Sequence, residues 1–201
     1  GDREGFRRRY RIEPEAPVLI YVGRLGKEKN VGFLLRALVH IGERVPAARL
    51  VLVGGGPARE ELVGEAGRLG VRERVIFTGP VPPGEVRHCY AGGDVFVTAS
   101  LTETQGLVVG EAKAAGLPAV AVRAQGVGEM VNEGVDGFLT PLDERVFADR
   151  VCRLLEDPEL YRRLKVNALV KAKELAAPQT AAVLLGYYRR LAGKERKKDA
   201  D

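Results

Sequence analysis

Six short apolar runs recur along the chain, and five of them are followed by a glycine-containing turn or loop and then a helical pattern. The first run, residues 17–22, is continuously apolar and contains β-branched residues, as parallel strands buried on both faces do. The other predicted strands cover residues 48–53, 75–78, 95–98, 119–122 and 137–140. Strands that alternate with helices in this way predict an α/β fold, a Rossmann-like doubly wound parallel sheet of about six strands.

Apolar residues at helical spacing predict the connecting helices. These helices cover residues 31–41, residues 58–69, a short segment through His88 to Ala91, a small-residue helix that ends near Gly116, and a short helix that opens at Gly126. After the last strand the chain is predicted to be helical over residues 144–156, 158–175 and 179–192, with prolines at the starts of the last two helices.

The chain has the length and composition of one ordinary globular domain. Its 201 residues are 45% hydrophobic and 29% charged, which excludes a disordered chain. The predicted organisation is an interdomain linker over residues 1–16, a C-terminal domain over 17–193 and a charged tail over 194–201. Because the chain does not begin with Met, we expect a fragment of a longer protein whose N-terminal domain is absent.

Cysteine usage and charge set broad limits on the compartment and the partners. Cys89 and Cys152 fall in separate predicted helices and form no C-x-x-C pair, which indicates core thiols in a reducing, cytoplasmic compartment. No apolar run approaches the ~18–20 residues of a membrane span, and no signal peptide is visible. The net charge of +5 favours anionic partners such as phosphates, acidic lipid surfaces or nucleic acid, without choosing among them.

The most informative stretch, residues 100–118, combines a loop, a helix start and two glutamates. The helix N-terminus offers unpaired N–H groups and a positive partial charge, which suits a diphosphate. Gly106 lets that backbone approach a ligand closely. Glu103 in the loop can accept hydrogen bonds from sugar hydroxyls, and Glu111, about one and a half turns into the helix, can reach the two hydroxyls of a ribose. The stretch therefore predicts a sugar-nucleotide site.

The spacing Glu103-x7-Glu111, followed by Ala-x3-Gly-x-Pro, resembles the signature of the retaining glycosyltransferases of family four, which have the GT-B fold of two Rossmann-like domains. The local form Thr-Glu-Thr-Gln-Gly at residues 102–106 departs from the commoner Glu-x-Phe-Gly, and it is similar to the form in glucosyltransferases that act on diacylglycerol. The resemblance covers nearly the whole chain and implies that Glu103 contacts the donor sugar while Glu111 holds the ribose. The expected donor-binding residues of the loop and helix start are Thr104, Gln105, Gly106, Leu107 and Val108.

The loop after the first strand, from Gly23 to Asn30, supplies the predicted phosphate contacts. Arg24 and Lys29 would flank a diphosphate at the mouth of the sheet and stabilise the charge on a departing nucleoside diphosphate. The resemblance implies the same role for the Arg and Lys at these positions. The alternative, a solvated basic loop, is disfavoured by the Glu-x7-Glu helix in the same chain. Arg24, Lys29 and Glu103 are therefore the predicted catalytic residues, with Glu103 as a positioning and charge-stabilising group.

Two further glycine turns follow the second and third predicted strands. Gly54 and Gly56 match the first two positions of G-x-G-x-x-G but the third is not matched, and the next strand lacks the terminal acid of a dinucleotide site. An NAD site is therefore disfavoured. The resemblance instead implies that Gly54 and Gly56, together with Gly23, line the donor cleft, and that the nucleotide base stacks near Val81.

No metal is expected to be required. His40 and His88 lie in separate helices without the spacing of metal ligands, and the Asp-x-Asp pattern at Asp199–Asp201 lies in the tail. The basic loop would serve as the cationic clamp instead. A glycosidase-like function, with Glu103 and Glu111 as an acid and a nucleophile, is disfavoured because the two residues lie in different local structures.

Basic runs at residues 7–9 and 194–198 are most consistent with a solvated surface. No nucleic-acid motif accompanies them, so nucleic acid is not an expected partner. A lipid acceptor would bring these runs to the inner face of an anionic membrane.

Together these features predict the donor-binding domain of a retaining hexosyltransferase, which needs no tightly bound cofactor. The local motif favours UDP-glucose as the donor and leaves GDP-mannose open, with a glycolipid or cell-envelope glycan precursor as the expected product. The acceptor site would belong to the N-terminal domain, so this chain alone should bind the donor without transferring the sugar. Two alternatives stay open: another GT-B enzyme, such as a nucleotide-sugar epimerase or a glycogen synthase-like polymerase, and a non-enzymatic nucleotide-binding module.

Overall fold

A computed structural model of the chain describes residues 1–103, 106–124 and 126–174, and these residues form a six-stranded sheet with helices on both faces. Neighbouring strands pair in parallel throughout the sheet. The strands are β1 (Val18–Val22), β2 (Arg49–Val53), β3 (Val75–Gly79), β4 (Val95–Thr98), β5 (Ala119–Val122) and β6 (Gly137–Thr140). The predicted fold class is confirmed, and each predicted strand lies within one residue of its observed limits.

The α-helices follow the predicted alternation, with one addition at the N-terminus. They are α1 (Arg3–Arg9), α2 (Val31–Arg44), α3 (Arg59–Arg68), α4 (Val86–Gly92), α5 (Leu107–Ala114), α6 (Val127–Met130), α7 (Glu144–Glu156) and α8 (Pro158–Glu174). The predicted helix over residues 179–192 and the tail over 194–201 lie outside the described residues.

The central strand β1 is buried on both faces, which explains why its sequence is apolar at consecutive positions. Leu19 and Tyr21 pack into the core formed with α2, α3 and α7. Val18 and Ile20 pack into a second core, formed with α1, α4 and α5 on the other face. Because successive side chains of a strand point to opposite faces, a strand between two helical layers needs apolar residues at both parities.

The strand order is β3-β2-β1-β4-β5-β6, so the direction of winding reverses between β1 and β4. The connection after β1 leads to α2 on one face, and the connection after β4 leads to α5 on the other face. The carboxyl ends of these two strands therefore flank a crevice. Open α/β sheets bind their ligands at such a switch point.

The N-terminal segment, which the sequence predicts as an interdomain linker over residues 1–16, contains helix α1. Helix α1 packs against α4, and Phe6 is buried against Gly92, where an added Cβ would lie 2.1 Å from the Phe6 ring. Arg7 is also buried, and its guanidinium pairs with Asp94 at 2.8 Å. Arg7 therefore belongs to the interior, which corrects the expectation of a solvated surface for this residue, whereas Arg8 and Arg9 of the same run are exposed. The described fold begins at α1, and the wider domain organisation stays a prediction.

Candidate functional site

The loop after β1 is held in place by the loop after β2. The amide of Leu25 donates to the carbonyl of Gly55 at 2.9 Å, and the amide of Ala58 donates to the carbonyl of Leu25 at 3.0 Å. The Leu25 side chain is fully buried. The hydroxyl of Tyr21 donates to the carbonyl of Arg24 at 3.0 Å. This backbone is fixed by its neighbours, while the Arg24 side chain is exposed at the crevice.

Gly54 and Gly56 are required by the contact between these two loops. A Cβ on Gly54 would lie 2.1 Å from the carbonyl oxygen of Gly23, and a Cβ on Gly56 would lie 2.4 Å from that of Leu25. Gly54 also has a φ of +130°, which L side chains rarely adopt. The structure therefore explains both glycines by backbone packing, and their contact with a donor stays a prediction.

Lys29 and Glu103, predicted from separate motifs, form an ion pair across the crevice. Lys29 Nζ lies 2.9 Å from Glu103 Oε2, and the two side chains are 24% and 21% exposed. The hydroxyl of Thr102 lies 3.5 Å from the carbonyl oxygen of Glu28, so the two loops also approach beside this pair. The structure thus brings together the predicted phosphate ligand and the predicted sugar ligand, and each neutralises the other.

Helix α5 begins at the crevice. Gly106 precedes it with a φ of +60°, and a Cβ at this position would lie 2.7 Å from Cγ of Met130. No side chain among the described residues caps the helix, and at its start Leu107 is 63% exposed and Val108 is half-buried. Thr104 and Gln105 lie outside the described residues. The helix start carries the unpaired N–H groups and positive dipole end that suit a phosphate.

Glu111 lies on the exposed side of α5, beside a cleft between α4 and α5. The hydroxyl of Tyr90 donates to Glu111 Oε2 at 2.9 Å. The cleft has a volume of about 530 Å³ and is lined in part by Val22, Pro83 and Val86. Burial and the adjacent carboxylate raise the pKa of Tyr90, so its hydroxyl remains a hydrogen-bond donor at neutral pH. The cleft offers an apolar wall next to an oriented carboxylate, which suits a nucleoside.

Val81 lies outside the cleft that contains Glu111. It lines a separate cleft of about 390 Å³, together with Phe6, Tyr10 and Cys89, on the side where α1 packs. Val81 is not among the residues that line the cleft beside Glu111. Its predicted contact with the nucleotide base stays a prediction, and Pro83 and Val86 are the residues of this connection that face Glu111 across the cleft.

The remaining chemically active side chains have local roles. Burial raises the pKa of Cys89 and Cys152 to about 11, as expected of core thiols. His88 Nδ1 accepts a hydrogen bond from the amide of Asp2, and His40 lies 3.3 Å from Glu43. Within residues 1–103, 106–124 and 126–174, no three His, Cys, Asp or Glu side chains form a group that could hold a metal. The Asp-x-Asp pattern of the tail lies outside these ranges.

The sequence did not identify three polar residues that the fold uses. Tyr90 was missed, although a buried tyrosine generally needs a partner for its hydroxyl. Lys113 and Asp136 were also missed; they form a fully buried ion pair of 2.8 Å that connects α5 to the segment before β6. Burial lowers the pKa of Lys113. A lysine in a small-residue helix gives no sign of such a partner in the sequence.

The chain is similar to known proteins in both sequence and structure. The profile of the family described as "Glycosyl transferases group 1" matches residues 2–170. The sulfoquinovosyl transferase of Arabidopsis thaliana is 38% identical over 172 residues, which are 79% of this chain and 32% of that protein. A D-inositol 3-phosphate glycosyltransferase of Actinosynnema mirum is 36% identical over 198 residues, 94% of this chain and 48% of that protein. The chain therefore spans about half or less of the length of these relatives.

Among solved structures, Alr3699/HepE of Anabaena in complex with UDP-glucose superimposes with a TM-score of 0.77. The two chains are 28% identical, and the match covers 85% of this chain and 47% of that one. Its overall similarity agrees with the six-stranded Rossmann-like domain described above. In the described part of the chain, none of the helices combines the length and the apolar character needed to cross a membrane.

Proposed function

The chain belongs to the group 1 glycosyl transferases, and from this premise we propose that it is the donor-binding domain of a retaining hexosyltransferase with the GT-B fold. The observation that carries the proposal is the meeting of Lys29 and Glu103 at the switch point of the sheet, beside the start of α5. A cation, a carboxylate and a helix N-terminus are the groups that a sugar diphosphate requires.

The proposed binding mode assigns one part of the donor to each group. The diphosphate lies at the N-terminus of α5 and is contacted by Arg24 and Lys29. The sugar hydroxyls donate to Glu103. The ribose lies against Glu111, with the base in the cleft between α4 and α5. Because Lys29 is already paired with Glu103, donor binding exchanges a protein ion pair for one contact to phosphate and one to sugar.

The chemical step follows from this arrangement. The bond between the anomeric carbon of the sugar and the diphosphate oxygen breaks, and its electron pair leaves with the nucleoside diphosphate. Arg24 and Lys29 stabilise the negative charge that develops on that oxygen. The acceptor hydroxyl forms the new bond to the anomeric carbon, and its proton passes to the departing diphosphate oxygen. Glu103 holds the sugar and stabilises the positive charge that develops on the ring.

UDP-glucose is the proposed donor. The motif at residues 102–106 favours a glucosyl donor, and the structural similarity to a protein solved with UDP-glucose supports the same nucleotide. The names of the two relatives describe different transferases, so the acceptor is proposed separately. We assign it to the class of glycolipid or cell-envelope glycan precursors, bound by an N-terminal domain of the full-length protein at the inner face of the membrane. No metal has a part in this proposal.

Calorimetric titration of the chain with UDP, UDP-glucose, GDP-mannose and NAD tests the assignment. We expect binding of UDP and UDP-glucose, and Glu111→Ala should weaken both, since both carry the ribose. Preference for GDP-mannose would refute the uridine donor, and preference for NAD would refute the glycosyl-donor site. Transfer of glucose by this chain without its N-terminal domain would contradict the proposed division of the site.

A further inference from the structure

Tyr90 and Glu111 form a contact between α4 and α5 that the binding mode above does not explain. The ring of Tyr90 is buried, with only 3% of the residue exposed, and it packs beside Phe96 with ring centroids 6.3 Å apart. Its hydroxyl therefore has a fixed position. The nearest acceptor of that hydroxyl is Glu111 Oε2 at 2.9 Å, and the carbonyl oxygen of Val108 lies at 3.4 Å.

Glu111 is the flexible member of this pair. Its side chain has three rotatable bonds and stands on the exposed side of α5. A carboxylate in such a position samples several rotamers, and a ligand that selects one of them must offset the lost entropy. The hydrogen bond from Tyr90 engages Oε2, and no other hydrogen bond to the Glu111 carboxylate occurs among the residues that the structure describes, which leaves Oε1 to a ligand in the cleft. The tyrosine thus orients the carboxylate before a ligand arrives.

The cleft indicates what this oriented carboxylate contacts. Its wall includes Val22, Pro83 and Val86, which offer apolar surface but no hydrogen-bonding side chain. Among the residues that line it, Glu111 supplies a carboxylate acceptor, Tyr90 directs its hydroxyl to that carboxylate, and Arg87 adds a positive charge. A vicinal diol donates to a carboxylate, whereas a deoxyribose or dideoxyribose has no equivalent pair of donors.

We propose that Tyr90 is a positioning residue, which holds Glu111 in the rotamer that accepts hydrogen bonds from the donor ribose and so makes the site selective for ribonucleoside diphosphates. The inference rests on the proposed function, because it takes Glu111 as the ribose ligand. Tyr90 acts through Glu111 and contributes nothing to the recognition of the diphosphate.

The test compares UDP with 2′,3′-dideoxy-UDP by calorimetry, using the whole chain and the variants Tyr90→Phe, Glu111→Ala and their combination. Tyr90→Phe removes one oxygen atom and keeps the buried ring. It should weaken UDP binding roughly fivefold, the effect of one net hydrogen bond. Binding of 2′,3′-dideoxy-UDP should change less than about twofold. In the Glu111→Ala background, Tyr90→Phe should have no further effect on UDP.

Tyr161→Phe is the matched control. Tyr161, on α8, is a half-buried tyrosine whose hydroxyl donates to the carbonyl of Asp94 at 3.2 Å, next to the amino end of β4 and away from the cleft. This variant loses a comparable hydrogen bond and should show a comparable change in thermal stability. Its affinity for UDP should equal that of the unaltered chain.

The outcomes separate the two proposals. If the unaltered chain binds no UDP, the proposed function of the chain is contradicted and the inference falls with it. If the unaltered chain binds UDP but Tyr90→Phe weakens both nucleotides equally, the inference is overturned and the donor site stands. An effect of Tyr90→Phe on UDP that persists in the Glu111→Ala background would overturn the inference in the same way.

Discussion

The sheet carries one ion pair at the amino ends of its strands, the amino edge, and another at their carboxyl ends, the carboxyl edge. The two pairs have nearly equal lengths but different surroundings. At the amino edge, Arg7 pairs with Asp94 at 2.8 Å, and their side chains are 6% and 17% exposed. At the carboxyl edge, Lys29 pairs with Glu103 at 2.9 Å, and their side chains are 24% and 21% exposed. The pairs differ chiefly in the number of other partners. That difference distinguishes a contact that maintains the fold from one that a ligand can replace.

The amino-edge pair is saturated with hydrogen bonds. Asp94 accepts from Arg3, from Arg7 and from the amide of Val18. Arg7 also donates to backbone carbonyls, which are those of Glu13, Pro14, Ala16 and Gly92. All three nitrogens of the Arg7 guanidinium and both carboxylate oxygens of Asp94 are thus engaged within the protein. In the part of the chain that the structure describes, the side chains of Lys29 and Glu103 form hydrogen bonds only with each other, which leaves further donors and acceptors for phosphate and sugar.

The largest expected effect is on stability at the amino edge. Asp94→Ala leaves the Arg7 guanidinium buried without its counter-charge, which typically costs about 3–5 kcal/mol in the free energy of unfolding. Urea denaturation measures this loss, and UDP affinity under native conditions should be unchanged. Glu85→Ala is the control, because Glu85 pairs on an exposed surface with Arg9, which lies on α1 as Arg7 does. Loss of this exposed pair should cost less than about 1 kcal/mol in the free energy of unfolding. Equal losses for the two variants would contradict the comparison.

At the carboxyl edge we expect the next largest effect, on ligand affinity rather than stability. Lys29→Ala removes a charge-assisted hydrogen bond to the diphosphate, worth about 1.5–3 kcal/mol, so UDP affinity should fall about 10- to 150-fold. The free energy of unfolding should change by less than about 1 kcal/mol. Lys27→Ala serves as the control, since Lys27 lies in the same turn but is 86% exposed and approaches Glu61 at 3.9 Å. A similar loss of affinity in Lys27→Ala would indicate non-specific attraction.

Glu103→Ala should change ligand affinity less than Lys29→Ala does, and it should affect UDP and UDP-glucose differently. Removing the carboxylate frees Lys29, so UDP should bind as well as before or up to about threefold more tightly. The additional affinity of UDP-glucose over UDP should disappear because the sugar hydroxyls lose their acceptor. Parallel titrations with the two ligands measure the difference directly. Equal weakening of UDP and UDP-glucose would remove Glu103 from the sugar site.

The smallest quantity is the coupling energy of the carboxyl-edge pair in the unliganded chain. A double-mutant cycle of Lys29→Ala and Glu103→Ala should give about 0.2–1 kcal/mol by urea denaturation, as for pairs near solvent. The same cycle with Arg7→Ala and Asp94→Ala should give a clearly larger value. Comparable coupling at the two edges would show that the number of other partners does not distinguish the pairs.

The strand pattern was predicted from the sequence because parallel strands between two helical layers must be apolar at consecutive positions. The apolar residues of β1 and β2 made this pattern visible, and their limits were correct to within one residue. Helix α1 was missed because its sequence, with a buried Phe6 among arginines, has a charged composition. Its burial depends on Asp94, which lies more than 80 residues later, and no local pattern carries that information.

For the candidate site, the sequence indicated the residue types but not their contacts. Motif spacing placed Lys29 and Glu103 on different loops, and the switch point of the sheet brought them together. The partner of Glu111 could not be predicted because the contact with Tyr90 joins two helices separated by β4. The glycines Gly54 and Gly56 were associated with a ligand, whereas the structure explains them by the approach of one backbone to another.

The dependence of the β1 loop on the β2 loop has a consequence for protein engineering. Transplanting residues 23–30 into another Rossmann-like scaffold would move the basic side chains without the support that shapes their backbone. Leu25 hydrogen-bonds to Gly55 and Ala58, and Gly54 leaves the space that Gly23 occupies. A modular exchange between homologues must therefore take residues 53–58 along with residues 23–30. Recombination breakpoints between these two segments would separate the basic loop from the backbone contacts that shape it.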